Sequence, residues 1–239
     1  MILGILQARM SSTRLPGKVL MPLAGVPMVL RQIERLRRAR QMDRLVVATS
    51  TETSDDPLVT ALQAADVAVY RGSLNNVLAR FIGALDANPA DHVVRLTADC
   101  PLADPDVLDA AIALHMDQNA AYTSNTPESF AFPKGLDVEV ISASALRQAA
   151  AEASSPEDFE HVTWGIWTHP ERWKIAWLKS PKADDGDIRW TVDTPDDYAF
   201  VAAVYDALYV TRSDFSTSDI RALVYARPDL ARFGGHRRI

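Results

Sequence analysis

The sequence predicts an α/β fold in which a mainly parallel, mixed sheet lies between helical layers and a small second lobe follows. Short β-branched runs alternate with amphipathic stretches through the first hundred residues, the pattern of strands joined by crossover helices. Repeated βα units of this kind need a parallel sheet covered on both faces. After about residue 119 the alternation becomes irregular, yet no Gly/Ser-rich linker and no internal repeat interrupts the chain. Residues 1–239 therefore read as a single domain, with a lobe at about 120–180 inside it.

Ile2 to Gln7 is the first strand, followed by a polar loop from Ala8 to Gly17. Pro27 opens a helix that carries Val29, Ile33 and Leu36 on one face. Leu45–Thr49 is a second strand and Asp55–Ala65 a second helix. Val67–Tyr70 is a short third strand, and the next helix carries Val77, Leu78, Phe81, Ile82 and Leu85. Val93–Thr97 is a fourth strand that runs into Ala98-Asp99-Cys100-Pro101, with Asp104 placed to cap the helix beyond. In the second half, Tyr122–Ser124, Asp137–Ile141, Trp173–Leu178 and Ile188–Val192 read as strands, and 142–152 and 157–167 as helices. Asp193-Thr194-Pro195 starts a helix to about Tyr209, where Asp196 and Asp197 supply first-turn negative charge.

A chain of 239 residues with 48% hydrophobic and 23% charged residues falls in the ordinary soluble globular class. Its net charge of −6 argues against broad, sequence-independent nucleic-acid binding. Arg35, Arg37, Arg38, Arg40 and Arg44 read as the solvated side of a helix. One cysteine, Cys100, excludes an internal disulfide and reads as a packing residue. The apolar start, Met1 to Leu6, is too short for a signal sequence, and no run approaches the ~20 apolar residues of a membrane span. The expected location is the cytoplasm, with no membrane partner.

The most informative segment is Gln7-Ala8-Arg9-Met10-Ser11-Ser12-Thr13-Arg14-Leu15-Pro16-Gly17-Lys18. It follows a buried strand, so it lies at the carboxyl edge of a parallel sheet, where such folds bind ligands. Arg9, Arg14 and Lys18 with three hydroxyl residues, and no acid among them, provide the fixed charges and donors that a triphosphate requires. Pro16-Gly17 stiffens the loop and admits close backbone approach. Neither a Walker A pattern nor a dinucleotide G-x-G-x-x-G is present.

This segment resembles the nucleotide-binding signature of the acylneuraminate cytidylyltransferase family, which includes CMP-sialic acid and CMP-Kdo synthetases and the spore coat polysaccharide protein SpsF. Four further segments resemble the SpsF branch in the same order: Leu96–Leu102, Gly135–Val140, Glu160–Thr163 and Arg189–Pro195. The resemblance implies a three-layer nucleotide-diphospho-sugar transferase fold. It also implies transfer of CMP from CTP to a small acidic sugar, with pyrophosphate released, for surface polysaccharide synthesis by a homodimer.

In that reading Arg9, Arg14 and Lys18 are catalytic, and Gln7, Ala8, Ser11, Ser12, Thr97 and Ala98 complete the nucleotide site. A triphosphate normally arrives with Mg²⁺, which prefers carboxylate oxygens. Asp99 and Asp193 each follow a predicted strand; helix capping and metal ligation are both open from the residues alone, and the resemblance implies ligation. Gly135, Asp137, Glu139, Glu160 and His161 line the acceptor side by resemblance. Asp137 and Glu139, two apart on a predicted strand, would share a face. Where SpsF-like sequences carry acidic residues after R-G-S, this chain has Leu74-Asn75-Asn76. A glycosyltransferase with the same sheet is the alternative, but Thr97-Ala98-Asp99 lacks the first acid of a D-x-D. A non-catalytic CTP-binding protein is the third reading.

Overall fold

Ile2, Leu3, Ile5 and Leu6 make the first strand apolar on both sides, which suits it only to the middle of a covered sheet. The computed structural model, which describes residues 1–126, 132–181 and 185–239, places it there. In chain order the strands are β1 (Ile2–Gln7), β2 (Pro22–Leu23), β3 (Val26–Pro27), β4 (Arg44–Ser50), β5 (Val69–Gly72), β6 (His92–Thr97), β7 (Tyr122–Ser124), β8 (Glu139–Ser142), β9 (Ile175–Trp177), β10 (Arg232–Phe233) and β11 (His236–Arg237). The helices are α1 (Met28–Leu36), α2 (Asp56–Ala64), α3 (Val77–Ala87), α4 (Pro105–Gln118), α5 (Ala143–Glu152), α6 (Pro156–Glu160), α7 (Trp164–Trp167), α8 (Pro195–Leu208), α9 (Thr217–Ala226) and α10 (Pro228–Ala231).

Seven strands form the main sheet in the order β5-β4-β1-β6-β8-β7-β9. Strands β5, β4, β1 and β6 are parallel, and β8 alone runs against its neighbours. The three strands of the second half thus extend the first sheet. Leu6, Val47, Val94 and Leu96 face α1, α2 and α4, whereas Leu3, Ile5, Val46 and Val93 face α3 and α5. Each fully buried Leu, Ile or Val contributes about 1.5–3 kcal/mol, so alternation along the strands binds both helical layers to one sheet. In register, Gln7 lies beside Ala48 on one side and Thr97 on the other. Three carboxyl ends therefore converge, and the chain reverses direction across the sheet between β1 and β6, the switch point where a crevice opens.

A third core joins Leu23, Met28, Trp190, Phe200, Val204, Phe215 and Ile220. It closes the phosphate-loop side of the molecule with α8, α9 and the hairpins β2–β3 and β10–β11. No helix among the described residues is long and apolar enough to cross a membrane.

Several sequence-based expectations change. Ile188–Val192 is not a strand, although it is extended in sequence pattern and largely buried. Its N–H groups go to separate places: Trp190 to Lys134 O, Arg189 to Arg237 O and Val192 to Asp99 O. The expected helix over 157–167 breaks into α6 and α7 at Val162, a buried β-branched residue held at φ 43°. Asp137 precedes β8 instead of lying on it.

Two charged positions also differ from expectation. Arg35 is buried, donating to Ala103 O at 2.8 Å and Phe215 O at 3.0 Å beneath the Phe215 ring. Asp197 is not a surface dipole charge. It is fully buried, closes the capping box of α8 with Thr194, and accepts from Arg189 and from the equally buried Arg238 at 2.9 Å.

Burial alone would raise the Asp197 pKa, but hydrogen bonds from Arg189, Arg238 and the Asp193 N–H hold the carboxyl far below the usual range. A depressed carboxyl contributes stability above its ordinary pKa of about 3.9, and that contribution is lost as pH falls through the folded value. Asp197→Asn leaves two arginines without their carboxylate and is expected to cost about 3–5 kcal/mol in urea unfolding at pH 7. The difference from the parent chain should shrink steadily below about pH 4. A cost below about 1 kcal/mol would refute this account.

Candidate active site

The loop after β1 takes its shape from its own backbone and from one buried acid. Gly17 N–H and Ser12 N–H both donate to Met10 O, and Gly17 turns at φ 73° into a short 3₁₀ turn over Lys18–Leu20. That left-handed conformation is costly for residues other than glycine. Asp55, fully buried beyond the end of β4, accepts from Met10 N–H at 2.7 Å and Thr49 Oγ1 at 2.9 Å, and also from Ser50. Burial raises the Asp55 pKa, and these donors outweigh it, so the carboxyl stays ionised and pins the loop to β4.

Lys18 turns inward. Its ammonium, little exposed, donates to Val192 O at 2.6 Å and Asp193 Oδ1 at 3.0 Å, across more than 170 residues of chain. Arg14 reaches the same carboxylate oxygen at 3.1 Å, and Arg189 takes the other at 2.6 Å. Burial works against the Asp193 carboxylate, but Lys18, Arg189 and Arg14 more than compensate and lower its pKa. Asp99 lies across the crevice from the same loop, accepting from Thr97 Oγ1 and from the Cys100 thiol.

Together these groups line a cavity of about 430 Å³. Of the residues expected at a nucleotide site, Gln7, Ala8, Arg9, Ser12, Arg14, Lys18, Thr97, Ala98, Asp99 and Asp193 are on its wall; Ser11 is not. Glu160 and His161 reach the same wall from the far side. Glu139 lines a neighbouring chamber, paired with Arg95 and accepting from Thr163 Oγ1 at 2.6 Å. Gly135 packs under the Trp190–Thr191 backbone, where a Cβ would come within 2.8 Å of main-chain atoms at φ 113°. Asp137 is not on the cavity wall; burial, reinforced by the Asp99 charge, raises its pKa to about 6.

Sequence reasoning missed two cations. Arg80 on α3 is buried, its Nε lacks a hydrogen-bond partner, and one terminal nitrogen donates to Ser73 O at 2.7 Å. Burial and then Arg9 lower its pKa. Arg95 on β6 lines both the cavity and the neighbouring chamber, again with an unpartnered Nε. Their signal was a cation inside an otherwise apolar element, in Val77-Leu78-Ala79-Arg80-Phe81 and Val93-Val94-Arg95-Leu96. Buried charges need a partner, and an arginine without a full set has spare donors for a ligand.

The acidic residues expected after R-G-S are not needed for the backbone here. Asn76 caps α3 by accepting from Ala79 N–H at 2.8 Å, while Leu74 and Asn75 face the cavity. Five cations (Arg9, Arg14, Lys18, Arg80 and Arg95) stand against three carboxylates (Asp99, Glu160 and Asp193) on the wall, and with Arg95 paired to Glu139 behind it the wall keeps an excess of one positive charge in a chain of net charge −6. Such a wall, at the carboxyl ends of β1 and β6, suits an anion carrying several phosphates.

The fold and this site together define a nucleotidyltransferase. Residues 3–161 match the family model described as Cytidylyltransferase, and the chain belongs to that family. It is 36% identical over 236 residues to the spore coat polysaccharide biosynthesis protein SpsF of Bacillus subtilis, covering 96% of each chain. It is 33% identical over 179 residues to a 3-deoxy-manno-octulosonate cytidylyltransferase of an Acidovorax species, covering 70% of this chain and 65% of that one. A cytidylyltransferase structure from Leptospira borgpetersenii superposes with a TM-score of 0.89 at 28% identity, covering 96% of this chain and 95% of the other. Family membership selects the nucleotidyltransferase reading over the glycosyltransferase one.

Asp55→Asn, which weakens the grip on Met10, is expected to loosen nucleotide binding about 10-fold by calorimetry, as a misplaced binding loop does. An unchanged affinity would show that the loop holds its shape alone. Cys100 is buried and its thiol pKa is pushed up by burial, then by Asp99. It should ignore a thiol reagent in the native protein and react once in guanidinium. Rapid native labelling would contradict its packing.

Proposed function

We propose that this protein transfers CMP from CTP to a small acidic sugar and releases pyrophosphate. The observation that carries the reading is the cation-rich wall around Arg9, Arg14 and Lys18, which shares one cavity with Asp99, just past β6, and Asp193, just before α8. The acceptor hydroxyl attacks the α-phosphorus in line; its O–P bond forms as the bond to pyrophosphate breaks. The protein's part is then positioning and charge neutralisation. Arg9, Arg14 and Arg80 face the phosphates, and Lys18 stabilises charge on the departing pyrophosphate. Gln7, whose Oε1 is buried without a hydrogen-bond partner, and Ala8 lie where β1 ends and frame the base.

Asp99 and Asp193 would hold Mg²⁺, which supplies charge neutralisation to the triphosphate when bound. The donor set fits in its chemistry: Mg²⁺ typically takes one or two carboxylates plus substrate phosphates, and Asp99 and Asp193 are carboxylates on the wall of the same cavity. An ion carried in by the nucleotide needs no more from the protein. Asp193, gripped by Lys18, Arg14 and Arg189, would share its charge between metal and cations.

The acceptor site and a dimer contact belong, in this reading, to the 120–180 lobe, of which residues 127–131 lie outside the described residues. Similarity to SpsF along nearly the whole chain supports a role in surface polysaccharide synthesis.

The test is pyrophosphate release with Mg²⁺, each nucleoside triphosphate and a panel of acidic sugars. Turnover is expected with CTP alone among the nucleotides. Lys18→Ala and Asp99→Ala should each lower kcat/KM by roughly 10²–10³-fold. Turnover with another nucleotide in preference to CTP, or full activity in both variants, would sink the proposal.

A further inference from the structure

Beyond the nucleotide cavity lies a second chamber of about 740 Å³ with a different character. Three of the chain's five tryptophans, Trp164, Trp167 and Trp177, converge on it with Tyr122. Trp164 meets Trp167 edge-on at 4.9 Å between ring centroids, and Tyr122 meets Trp177 edge-on at 5.9 Å. The break at Val162 separates the helix that carries Trp164 and Trp167 from His161. His161 and Arg95 line both spaces, so the two adjoin at those side chains.

The polar groups of this chamber are largely committed, Thr126 to Ser124 Oγ among them. Glu139 neutralises Arg95 and accepts from Thr163 Oγ1. A ligand that brought many hydroxyls here would bury most of them without partners, whereas methyl and acyl groups would meet indole faces. At the junction, Arg95 has an unpartnered Nε to offer an anionic group. Trp167 is 38% exposed, an apolar surface that a bound ligand would cover.

We infer that the chamber of Trp164, Trp167 and Trp177, adjoining the nucleotide cavity at Arg95 and His161, binds the body of the acceptor and selects an acid bearing alkyl or acyl groups over a polyhydroxylated one. This inference rests on the proposed cytidylyl transfer. It makes Arg95 the reader of the acceptor's anionic group and the indoles the readers of its substituents. Occupancy by a small molecule follows from the chamber's place beside the nucleotide site; a second copy of the chain covering the indoles is the competing occupant.

The measurement is tryptophan fluorescence of the full chain with CTP and Mg²⁺, titrated with two acids: Kdo, and a nonulosonate carrying two acetamido groups and a terminal methyl. Calorimetry first establishes whether CTP binds; its failure would count against the proposed function rather than against the chamber. With CTP bound, the acylated acid should saturate the signal at a concentration at least about 10-fold below Kdo, the discrimination a few methyl-sized contacts provide. Trp167→Ala and Trp164→Leu should each weaken the acylated acid about 10-fold while CTP affinity stays within about 2-fold, a readout that misfolding would not spare. Equal binding of the two acids, preference for Kdo, or no fluorescence response to either would overturn the inference. So would loss of a dimer in Trp167→Ala with acid binding unchanged, which would assign the indoles to a second copy.

Discussion

Asp193 is the point on which the site depends. It lies where the extended segment before α8 meets the loop after β1, and one carboxylate is shared by Lys18, Arg14 and Arg189. Behind it, Arg189 and Arg238 converge on Asp197, so a line of alternating charge runs from the loop after β1 to the fully buried Arg238. Buried ion pairs gain little net stability, because desolvation offsets their attraction. What this line contributes is position. It fixes the loop against a segment more than 170 residues distant, and a cation on a flexible stem becomes a fixed donor.

The sheet explains why such a line is needed. Parallel strands bring Gln7, Ala48 and Thr97 to one edge through backbone register alone. The walls above that edge come from segments with no ladder to hold them. On one side Asp55 ties Met10 to β4; on the other, Lys18 and Val192 O tie the loop to the extended segment. Val192 N–H in turn donates to Asp99 O, so the segments that carry Asp99 and Asp193 are braced by one main-chain hydrogen bond of 2.8 Å. Backbone order in the sheet is thus passed to side chains through a few buried polar contacts, which also make the crevice rigid.

These contacts mark the limit of what the sequence reveals. The strands and helices of the first hundred residues were legible because local periodicity and local burial coincide in βα units. The loop over Gln7–Lys18 stood out because Arg9, Arg14 and Lys18 lie within ten residues of one another and follow a buried strand. Arg35 and Asp197 were misread for a common reason. A charge on a helix looks solvated until a distant segment covers it, as Phe215 covers Arg35 and Arg238 covers Asp197. Ile188–Val192 was misread because an apolar, buried run looks like a strand even where its hydrogen bonds go to three separate segments.

Arg80 and Arg95 carry the lesson further. Each interrupts an apolar element, which costs stability unless the charge is answered. Arg95 is answered in part by Glu139, and Arg80 by Ser73 O, and each retains an unpartnered Nε. Evenly spaced charge on a solvent-facing helix implies nothing about ligands, but a cation in a buried stripe implies that something anionic or polar completes it. In this fold the completing group enters from the crevice, because both arginines open onto the cavity beside Arg9 and Thr97. The cavity is therefore built from two sources: a loop whose residues are continuous in sequence, and core positions where apolar packing has been given up for charge.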